Sequence, residues 1–322
     1  MGKPLISIVF VNYNGKELLR AALRSLRKST CKNYEVLVVD NASTDGSREM
    51  VTKEFSRARL IRNSTNQGYT GINAALPSCK GAYILFLNND LEMHPASIKR
   101  LLKVLENDPT AALAVPRLVN YYDRKIDSAG TWVSRSFYNG HHRADKTGNT
   151  IKEIPYMGIG LIRKEAVRKF GYLFDPDYFI YAEDLDLGIR IRLLGMKTLH
   201  VPSAIAYHMH SQAMKHIPDA RKAFLLERNL LTTFYKDMGI SSILLFMPYA
   251  YAMRLLAILR DILTLRFAVA LARIRAVFAV LFSIPSILQK RKKVQSLREA
   301  PDSYILKAFT EKHLFSRRKI NI

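Results

Sequence analysis

The sequence predicts an α/β fold with a mixed, mostly parallel sheet and helices on both faces. Residues 83–87, YILFL, are an apolar run of aromatic and aliphatic side chains, typical of a strand buried on both faces. Two strand-then-helix units precede it: apolar residues 5–11 lead into an amphipathic stretch at 16–28, and residues 34–39 lead into a helical pattern at 50–55. This alternation predicts parallel strands with right-handed crossovers and polar loops at one sheet edge.

The buried strand ends in three short polar side chains, Asn88, Asn89 and Asp90. Open α/β sheets bind ligands at the carboxyl ends of their strands, and a carboxylate beside amide oxygens suits a hard cation that also holds phosphate. Alternatively, the Asn and Asp side chains cap the following helix, which Pro95 introduces. This stretch alone leaves both interpretations open.

Composition limits the class of partner. The chain has 322 residues, 48% of them hydrophobic, and a formal net charge of +23. Such a charge favours an anionic partner: nucleic acid, an anionic membrane surface or a phosphorylated substrate. Cys31 and Cys79 lack metal-ligand spacing and fit a reducing compartment. Because the first apolar run is too short for a signal sequence, we expect the catalytic part to face the cytosol.

Two further loops carry side chains suited to a nucleotide. Tyr13 could stack on a base whose N–H donates to Asp40, or the two residues are a core aromatic and a helix cap. Gly68 and Gly71 would let the backbone approach a pyrophosphate at a helix N-terminus. The sequence contains neither the G-x-G-x-x-G dinucleotide fingerprint after its first strand nor a P-loop, so neither of those sites is expected.

Six stretches, taken together and in order, resemble one known family. They are SIVFVNYNG (7–15), VVDNASTDGS (38–47), NQGYTGINAAL (66–76), FLNND (86–90), GIGLIRKEAVRKFGYLFDPDYFIYAEDLDLGIRIRLLG (158–195) and VPSAIAYHMH (201–210). With these motifs the chain is similar to the inverting glycosyltransferases of family 2, which have a GT-A type, Rossmann-like fold. The resemblance is greatest to rhamnosyltransferase-like and galactofuranosyltransferase-like members.

The resemblance implies a site with donor, metal, base and acceptor parts. Asp90 stands at the last position of the family's metal-binding D-x-D, and Asn88 replaces its first carboxylate. The family's base motif, E-D-x-D, falls on Glu183, Asp184 and Asp186, with Asp184 as the catalytic base. The donor-binding residues implied are Asn12, Tyr13, Asn14, Asp40, Asn66, Gly68, Gly71, Asn73, Asn88 and Asn89, and the acceptor-side candidates are Gly158, Gly160, Asp186 and Trp132.

The carboxylates of the base motif have a physical rationale of their own. Glu183, Asp184 and Asp186 place three negative charges in the first turn of a predicted helix that ends at Gly195, where the helix dipole favours them. Helix capping would account for one or two of the three. Inversion by single displacement needs one carboxylate to accept the acceptor hydroxyl's proton and a metal to hold the leaving diphosphate.

A histidine after the predicted strand VPSAIAY is the second metal-ligand candidate. Tyr207-His208-Met209 resembles the family's W-H-M context, which implies His208 as a ligand in preference to His210. The alternative is a histidine with a purely structural role. Since imidazole suits Mn²⁺ better than Mg²⁺ at a mixed site, the expected cofactor is Mn²⁺ or else Mg²⁺.

Residues 117–154 have no clear periodicity and are polar, with Trp132 among them. We expect an irregular segment on the acceptor side or a lid.

The composition becomes apolar after Met238. Arg254 and Asp261 lie on one helical side, as do Arg266 and Arg273, which predicts two amphipathic helices lying in a membrane interface rather than crossing it. The basic run 290–293 suits anionic lipid. A helical cap packed on the sheet domain is the alternative.

The sequence therefore predicts a GT-A glycosyltransferase domain at 1–215 and a basic, helical, membrane-associating region at 216–322. The expected activity is metal-assisted sugar transfer in polysaccharide or glycan biosynthesis, from a nucleotide-diphosphate sugar to a lipid-linked glycan. The expected location is the cytoplasmic side of the cell membrane, as a peripheral or monotopic protein. Alternatives are a non-catalytic nucleotide-sugar-binding protein or a basic nucleic-acid- or membrane-binding protein. Nucleic acid is not an expected partner because basic and aromatic residues form no recognisable binding module.

Overall fold

The computed structural model describes residues 5–142, 148–210 and 217–309. The first half of the sheet consists of four parallel strands in the order β3-β2-β1-β4. Their connections carry helices α1 and α2 and a 3₁₀ helix, so the predicted alternation of strand and helix is confirmed. The elements are β1 (Ile6–Asn12), α1 (Lys16–Arg27), β2 (Tyr34–Asp40), α2 (Ser47–Glu54), β3 (Ala58–Arg62), the 3₁₀ helix (Gly68–Ser78) and β4 (Tyr83–Asn88).

The second half continues the sheet beyond β4 with an antiparallel strand, β11, followed by two strands parallel to each other, β6 and β12. Short strands β5 and β10 pair with β12, and β7 pairs with β6. The elements are β5 (Leu91–Met93), α3 (Ser97–Asn107), β6 (Ala111–Asn120), β7 (Ile126–Ser128), β8 (Thr131–Val133), β9 (Asn139–His141), β10 (Lys152–Ile154), β11 (Gly160–Arg163), α4 (Lys164–Phe170), α5 (Glu183–Leu193) and β12 (Lys197–His208).

The expectation of an irregular segment at 117–154 is wrong for about half of its described part, 16 of 33 residues. This segment contains the end of β6, strands β7 and β10, and a hairpin of β8 and β9. Each of the strands β7 to β10 has only three residues, too few for a period-two pattern to stand out in the sequence.

Five helices complete the described chain: α6 (Asp219–Asp237), α7 (Ile240–Leu263), α8 (Phe267–Phe282), α9 (Ile284–Ser296) and α10 (Asp302–Leu306). Leu230, Leu231 and Phe234 of α6 belong to the same hydrophobic core as the sheet. The predicted boundary at 215 falls among residues outside the described ranges, and the regions on its two sides share one core.

Arg254, Asp261, Arg266 and Arg273 form a charged stripe on α7 and α8, and this stripe faces the protein. Glu227 of α6 is buried and pairs with Arg254 (2.9 Å) and with Arg273, and Arg273 also pairs with Asp261 (2.8 Å). The two helices are amphipathic, as the sequence predicts, but all four charges that define the stripe pair with neighbouring helices: three are buried, and the exposed Arg266 lies 3.7 Å from Asp219 of α6.

The opposite, apolar side of these helices is exposed. Sixteen of the nineteen exposed large apolar side chains among the described residues lie between 240 and 288. By length and composition α7 is also the one described helix that could cross a membrane, and α8 with α9, bent by 65°, would pass the same test as a pair. Length and composition therefore allow α7 to span, and the sequence-based preference for helices lying in the interface stays a prediction.

The basic run on α9 is partly occupied within the fold. Lys290 pairs with Asp175 and Asp177, and Arg291 donates hydrogen bonds to the carbonyl oxygens of Tyr235 (2.8 Å) and Met238. Two of the four basic residues predicted for lipid thus hold α9 within the fold, Lys290 on the chain before α5 and Arg291 on the end of α6.

Candidate active site

The carboxyl ends of β1, β2 and β4 meet in a network of amides and one carboxylate. Asn89 donates to Asn12 (2.7 Å), and Asn12 donates to Ser43 (3.2 Å) and more weakly to Asp40 (3.4 Å). Asp40 is buried, and its carboxylate also accepts a hydrogen bond from Arg48 (2.6 Å). The structure therefore brings these sequence-predicted donor residues together, with Arg48 as a partner that the motif did not reveal.

Tyr13 and Asn14 lie at the rim of this network. The Tyr13 side chain is 41% exposed, which leaves its ring open to a planar ligand. Asn14 has a left-handed backbone (φ 48°), and its side-chain oxygen accepts from the Thr44 N–H at 2.8 Å. Asn14 thus fixes the loop that presents Tyr13.

Gly68 and Gly71, which lie after β3 in the 3₁₀ helix, are required by close packing. A Cβ on Gly68, whose φ is +62°, would lie 2.2 Å from the carbonyl oxygen of Phe179, and one on Gly71 would lie 2.3 Å from Asn41 Oδ1. Asn66 accepts from the Gly68 N–H at 2.9 Å. These residues hold the 3₁₀ helix against the segment that leads to the base motif.

Asn73 has a similar bracing role. Its amide group donates to the carbonyl oxygen of Phe174 (2.6 Å) and accepts from the N–H groups of Leu173 and Phe174. The side chain that the resemblance assigns to donor binding is thus committed to the chain before the base motif.

Tyr69 connects the strand end to the base motif. Its buried hydroxyl donates to the Gly158 carbonyl oxygen at 2.5 Å. Burial raises the pKa of Tyr69, and the negative charges of Glu183, Asp184 and Asp90 raise it further. Three carboxylates from two distant motifs therefore converge around one phenol.

Glu183 and Asp184 begin α5, after a segment with unusual backbone geometry. Phe179, Tyr181 and Ala182 all have left-handed φ values, of 64°, 71° and 61°. Such conformations are costly for residues other than glycine and persist only where surrounding contacts impose them. The segment therefore sets the direction of the first turn of α5. Other contacts must offset the conformational free energy that this costs.

The two carboxyl groups differ in environment. Glu183 is buried, and this burial together with the charge of Asp184 raises its pKa well above the usual range. Asp184 is partly exposed; desolvation raises its pKa to about 6, although its carboxylate accepts from the Leu185 N–H at 2.8 Å. Two neighbouring carboxyl groups with raised pKa values, of which Asp184 titrates near neutrality, are an arrangement suited to proton transfer.

The acceptor-side candidates do not all lie in the cleft. A Cβ on Gly158 would lie 3.4 Å from the Asp184 carboxylate, so Gly158 borders the base. Gly160 lies inside the sheet, where a Cβ would be 2.7 Å from the Ala114 carbonyl oxygen, and the indole of Trp132 covers Gly140. These two positions have packing roles.

Asp186 is fully buried away from the cleft. It accepts from Arg190 at 2.7 Å and pairs with Lys236 of α6. The third carboxylate of the motif is therefore part of a buried ion network that joins α5 to α6.

Asn229 is a further functional residue, which sequence reasoning missed. Its side-chain amide donates to the carbonyl oxygens of Tyr178 (3.0 Å), Ile180 (3.0 Å) and Tyr181 (2.7 Å), which lie in the segment with left-handed residues. The buried side of α6 also holds Glu227, Thr233 and Lys236, so Asn229 did not stand out in the sequence as a single polar residue among apolar ones.

Asp90 and His208, 118 positions apart in the sequence, face each other across the pairing of β5 with β12. Asp90 Oδ2 lies 3.3 Å from His208 Nε2. Two atoms bound to one ion at about 2.1 Å and at right angles lie roughly 3 Å apart, so this pair fits a divalent cation. Asn88 ends β4 two residues before Asp90, and its buried Oδ1 has no hydrogen-bond partner among the described residues.

Asp127 and His210 lie next to the pair formed by Asp90 and His208. Asp127 Oδ2 lies 2.6 Å from His208 Nδ1 and 3.4 Å from His210 Nε2, and potential ligand atoms of Asp127, His208 and His210 lie within 4.8 Å of one another. Burial disfavours a charged His208, but Asp127 and Asp90 outweigh it and raise the pKa of His208 to about 9. The motifs did not reveal Asp127.

Comparison with known proteins bears on this site. The model for glycosyl transferase family 2 matches residues 7–171. The N-acetylglucosaminyl-diphospho-decaprenol L-rhamnosyltransferase of Mycobacterium tuberculosis is 26% identical over 248 residues, which cover 68% of this chain and 80% of that protein. The UDP-Glc:alpha-D-GlcNAc-diphosphoundecaprenol beta-1,3-glucosyltransferase WfaP of Escherichia coli is 38% identical over 88 residues, 27% of this chain and 35% of that one.

Among solved structures, the chain is similar to GalNAc-T7 crystallised with UDP, GalNAc and Mn²⁺, with a TM-score of 0.61 and 19% identity. The match covers 73% of this chain and about half, 48%, of that one. At this identity the similarity concerns the fold, and it confirms the predicted GT-A architecture.

Proposed function

The chain belongs to glycosyl transferase family 2, and we propose from this that it is an inverting transferase that passes a sugar from a nucleoside-diphosphate donor to a hydroxyl of a lipid-linked glycan. The observation that carries the proposal is the contact between the donor loop and the base motif: the Tyr69 hydroxyl donates to the Gly158 carbonyl oxygen, and a Cβ on Gly158 would lie 3.4 Å from the Asp184 carboxylate. This contact supports a donor site and a base that act on one substrate.

The donor's nucleoside lies against the ends of β1 and β2 in this proposal. The exposed ring of Tyr13 stacks on the base, and Asp40, fixed by Arg48, accepts one of its N–H groups. Because Asp40 is held by Arg48 before the donor arrives, its orientation costs little on binding.

Asp184 performs the proton transfer. As the acceptor oxygen bonds to the anomeric carbon, the bond from that carbon to the diphosphate breaks, and the hydroxyl proton moves to Asp184. Its raised pKa, about 6, makes it a stronger base than an ordinary aspartate and still leaves it mostly ionised near neutrality. Burial and the charge of Asp184 raise the pKa of Glu183, which disfavours a second negative charge beside the base.

Asp90, with His208 and Asn88, would hold Mn²⁺ or Mg²⁺, and a bound ion would neutralise the leaving diphosphate. Mn²⁺ suits the mixed oxygen and nitrogen donors better than Mg²⁺. With its raised pKa, His208 would have to give up a proton before it could hold an ion.

The acceptor class rests on two features. The names of the two relatives specify acceptors built on polyprenyl diphosphates. In this chain the exposed apolar side of α7 and α8 would rest on a membrane and bring such an acceptor to the cleft. We infer a peripheral or monotopic protein on the cytoplasmic side, where the positive net charge favours anionic lipid.

A matrix of donors and acceptors tests the proposal. UDP-, GDP- and dTDP-sugars would be offered with a polyprenyl-diphosphate GlcNAc acceptor, with Mn²⁺ or with EDTA, and the anomeric configuration of the product would be determined. We expect one donor to be consumed, with inversion, and only with metal. Binding of a nucleotide sugar without transfer to any acceptor would favour the non-catalytic alternative.

A further inference from the structure

A carboxylate that no family motif contains lies behind the metal-binding histidine. Asp127 belongs to β7, where Ile126 pairs with Val119 and Ser128 with the adjacent Leu118. Asp127 is therefore the extra residue of a β-bulge in this pair of strands. Bulges of this kind re-aim a side chain beside active sites, and here the bulge turns the carboxylate towards β12.

The two sides of the His208 ring have different distances to their carboxylates. Nδ1 lies 2.6 Å from Asp127, whereas Nε2 lies 3.3 Å from Asp90. The first distance is that of a charge-assisted hydrogen bond and is shorter than the roughly 3 Å expected between two atoms on one ion at right angles. The second distance matches that separation. The ring thus has a hydrogen-bonded side and a metal-binding side.

We propose that Asp127 is the positioning residue of the metal site: it accepts the Nδ1 proton of His208 and so holds the Nε2 lone pair towards Asp90, without binding the ion itself. A carboxylate on the far nitrogen fixes the tautomer and raises the basicity of a metal-binding imidazole. The inference rests on the metal site of the proposed function and adds a residue to it.

The competing arrangement uses the same side chains differently. Asp127, His208 and His210 lie close enough to hold an ion among themselves, and the rings of His208 and His210 are 4.1 Å apart. In that case the ion would bind Asp127 and His210, and Asp90 would lie outside its coordination sphere. His210 is therefore the residue that separates the two arrangements.

The first experiment measures Mn²⁺ affinity of the full-length protein by EPR titration, with no donor and no turnover. Asp127→Ala should weaken binding by about 10- to 100-fold, as outer-shell changes do, and Asp127→Asn by less, because its amide oxygen still accepts a hydrogen bond. Asp123→Asn, an exposed carboxylate in the preceding turn, is the matched control and should not change the affinity. Thermal unfolding of each variant establishes that it is folded.

The second experiment identifies the ligands. Electron spin-echo modulation of bound Mn²⁺ should show an imidazole nitrogen that disappears in His208→Ala and persists in Asp127→Asn and His210→Ala. Loss of the signal in His210→Ala, or equal losses of affinity in Asp127→Asn and Asp90→Asn, would make Asp127 a ligand and overturn the inference.

Two other results also have a definite meaning. Unchanged Mn²⁺ affinity in both Asp127 variants overturns the positioning role while leaving the proposed metal site intact. If the native protein binds no Mn²⁺ even with UDP present, the metal site and the role of Asp127 both fail. Sugar transfer measured in EDTA then decides separately whether the proposed transferase activity stands.

Discussion

Asp184 differs from an ordinary surface aspartate in one respect, its desolvation, which raises its pKa to about 6. The Leu185 N–H partly offsets this by stabilising the carboxylate at 2.8 Å. Neither Glu183, which is buried, nor Asp186, which is paired with Arg190 and Lys236, offers an accessible carboxylate as a substitute. The proposed base, Asp184, therefore has no accessible substitute among its neighbouring carboxylates.

We predict that Asp184→Asn lowers the transfer rate by about 10² to 10⁴ and leaves donor affinity nearly unchanged, because it removes a general base and no donor contact. Single-turnover transfer and nucleotide binding would be measured in parallel. Turnover within a few-fold of the native rate would assign the proton transfer to another group.

The pH profile should follow the same carboxyl group. Because the base acts as the carboxylate, the rate should fall about tenfold per pH unit below about 6 and level off above it. The rate at saturating donor and acceptor would be measured from pH 4.5 to 8. A rate that stays constant down to pH 4.5 would contradict a base with this raised pKa.

The motifs locate the residues that touch ligands better than those that support them. Asp90, His208 and Asp184 are found from short motifs because their chemistry needs those residue types. The role of Asp127 depends on a bulge between three-residue and ten-residue strands, and the role of Asn73 on a segment a hundred positions away. Neither relation leaves a pattern in the local sequence.

At the level of elements, α6 supports the site although the sequence assigns it to a separate region. Asn229, Thr233 and Lys236 lie on its buried side and contact the chain between Asp175 and Asp186. A helical period identifies such a side, but it does not identify the element on which that side packs. The sequence therefore contains no local signal that α6 shares its core with the region before residue 215.

We predict that Asn229→Ala reduces stability by roughly 1–3 kcal/mol, because buried carbonyl oxygens lose their hydrogen-bond donor. It should also lower the maximal rate more than it changes the donor KM, since the left-handed segment before Asp184 is released. Chemical unfolding and steady-state kinetics would measure both effects.

Thr232→Ala, at a partly exposed position of the same helix, is the control and should alter neither quantity. A stable Asn229→Ala protein with the native rate would mean that the segment keeps its conformation without α6.

For the whole molecule, the main departure from the sequence-based expectation is that α7 and α8 turn their charged side towards the protein and leave their apolar side exposed. The buried charges of Arg254, Asp261 and Arg273 fix the helices on α6, and the apolar side is left outside. The helical period of the sequence predicts a charged side and an apolar side on each helix. It does not predict which side faces inward, and here the buried Glu227 of α6 pairs with the charged side. Truncation before α7 would remove the two cations of Glu227 together with the helices that cover it, so it would not test membrane binding alone.

Point substitutions on the exposed side therefore test membrane binding without damaging the fold. Leu244 and Leu245 are 72% and 69% exposed near the start of α7. Burying each in lipid contributes roughly 1.5–3 kcal/mol, so replacing both by Glu should weaken binding to vesicles by on the order of 10²-fold or more. Sedimentation with anionic vesicles measures this. We expect the variant to stay in solution and to retain transfer to a short-chain, water-soluble acceptor.

The control pair for this prediction is Tyr122→Glu with Ile151→Glu, two exposed apolar residues outside the helical region, at 73% and 46% exposure. It makes the same change in net charge and should sediment like the native protein, since these positions lie outside the proposed surface. If both double variants lost binding equally, net charge alone would hold the protein to anionic lipid. If the α7 variant still sedimented fully, the membrane contact would lie on another surface. Loss of sedimentation confined to the α7 variant would assign membrane binding to the apolar side of the helices that enclose Glu227.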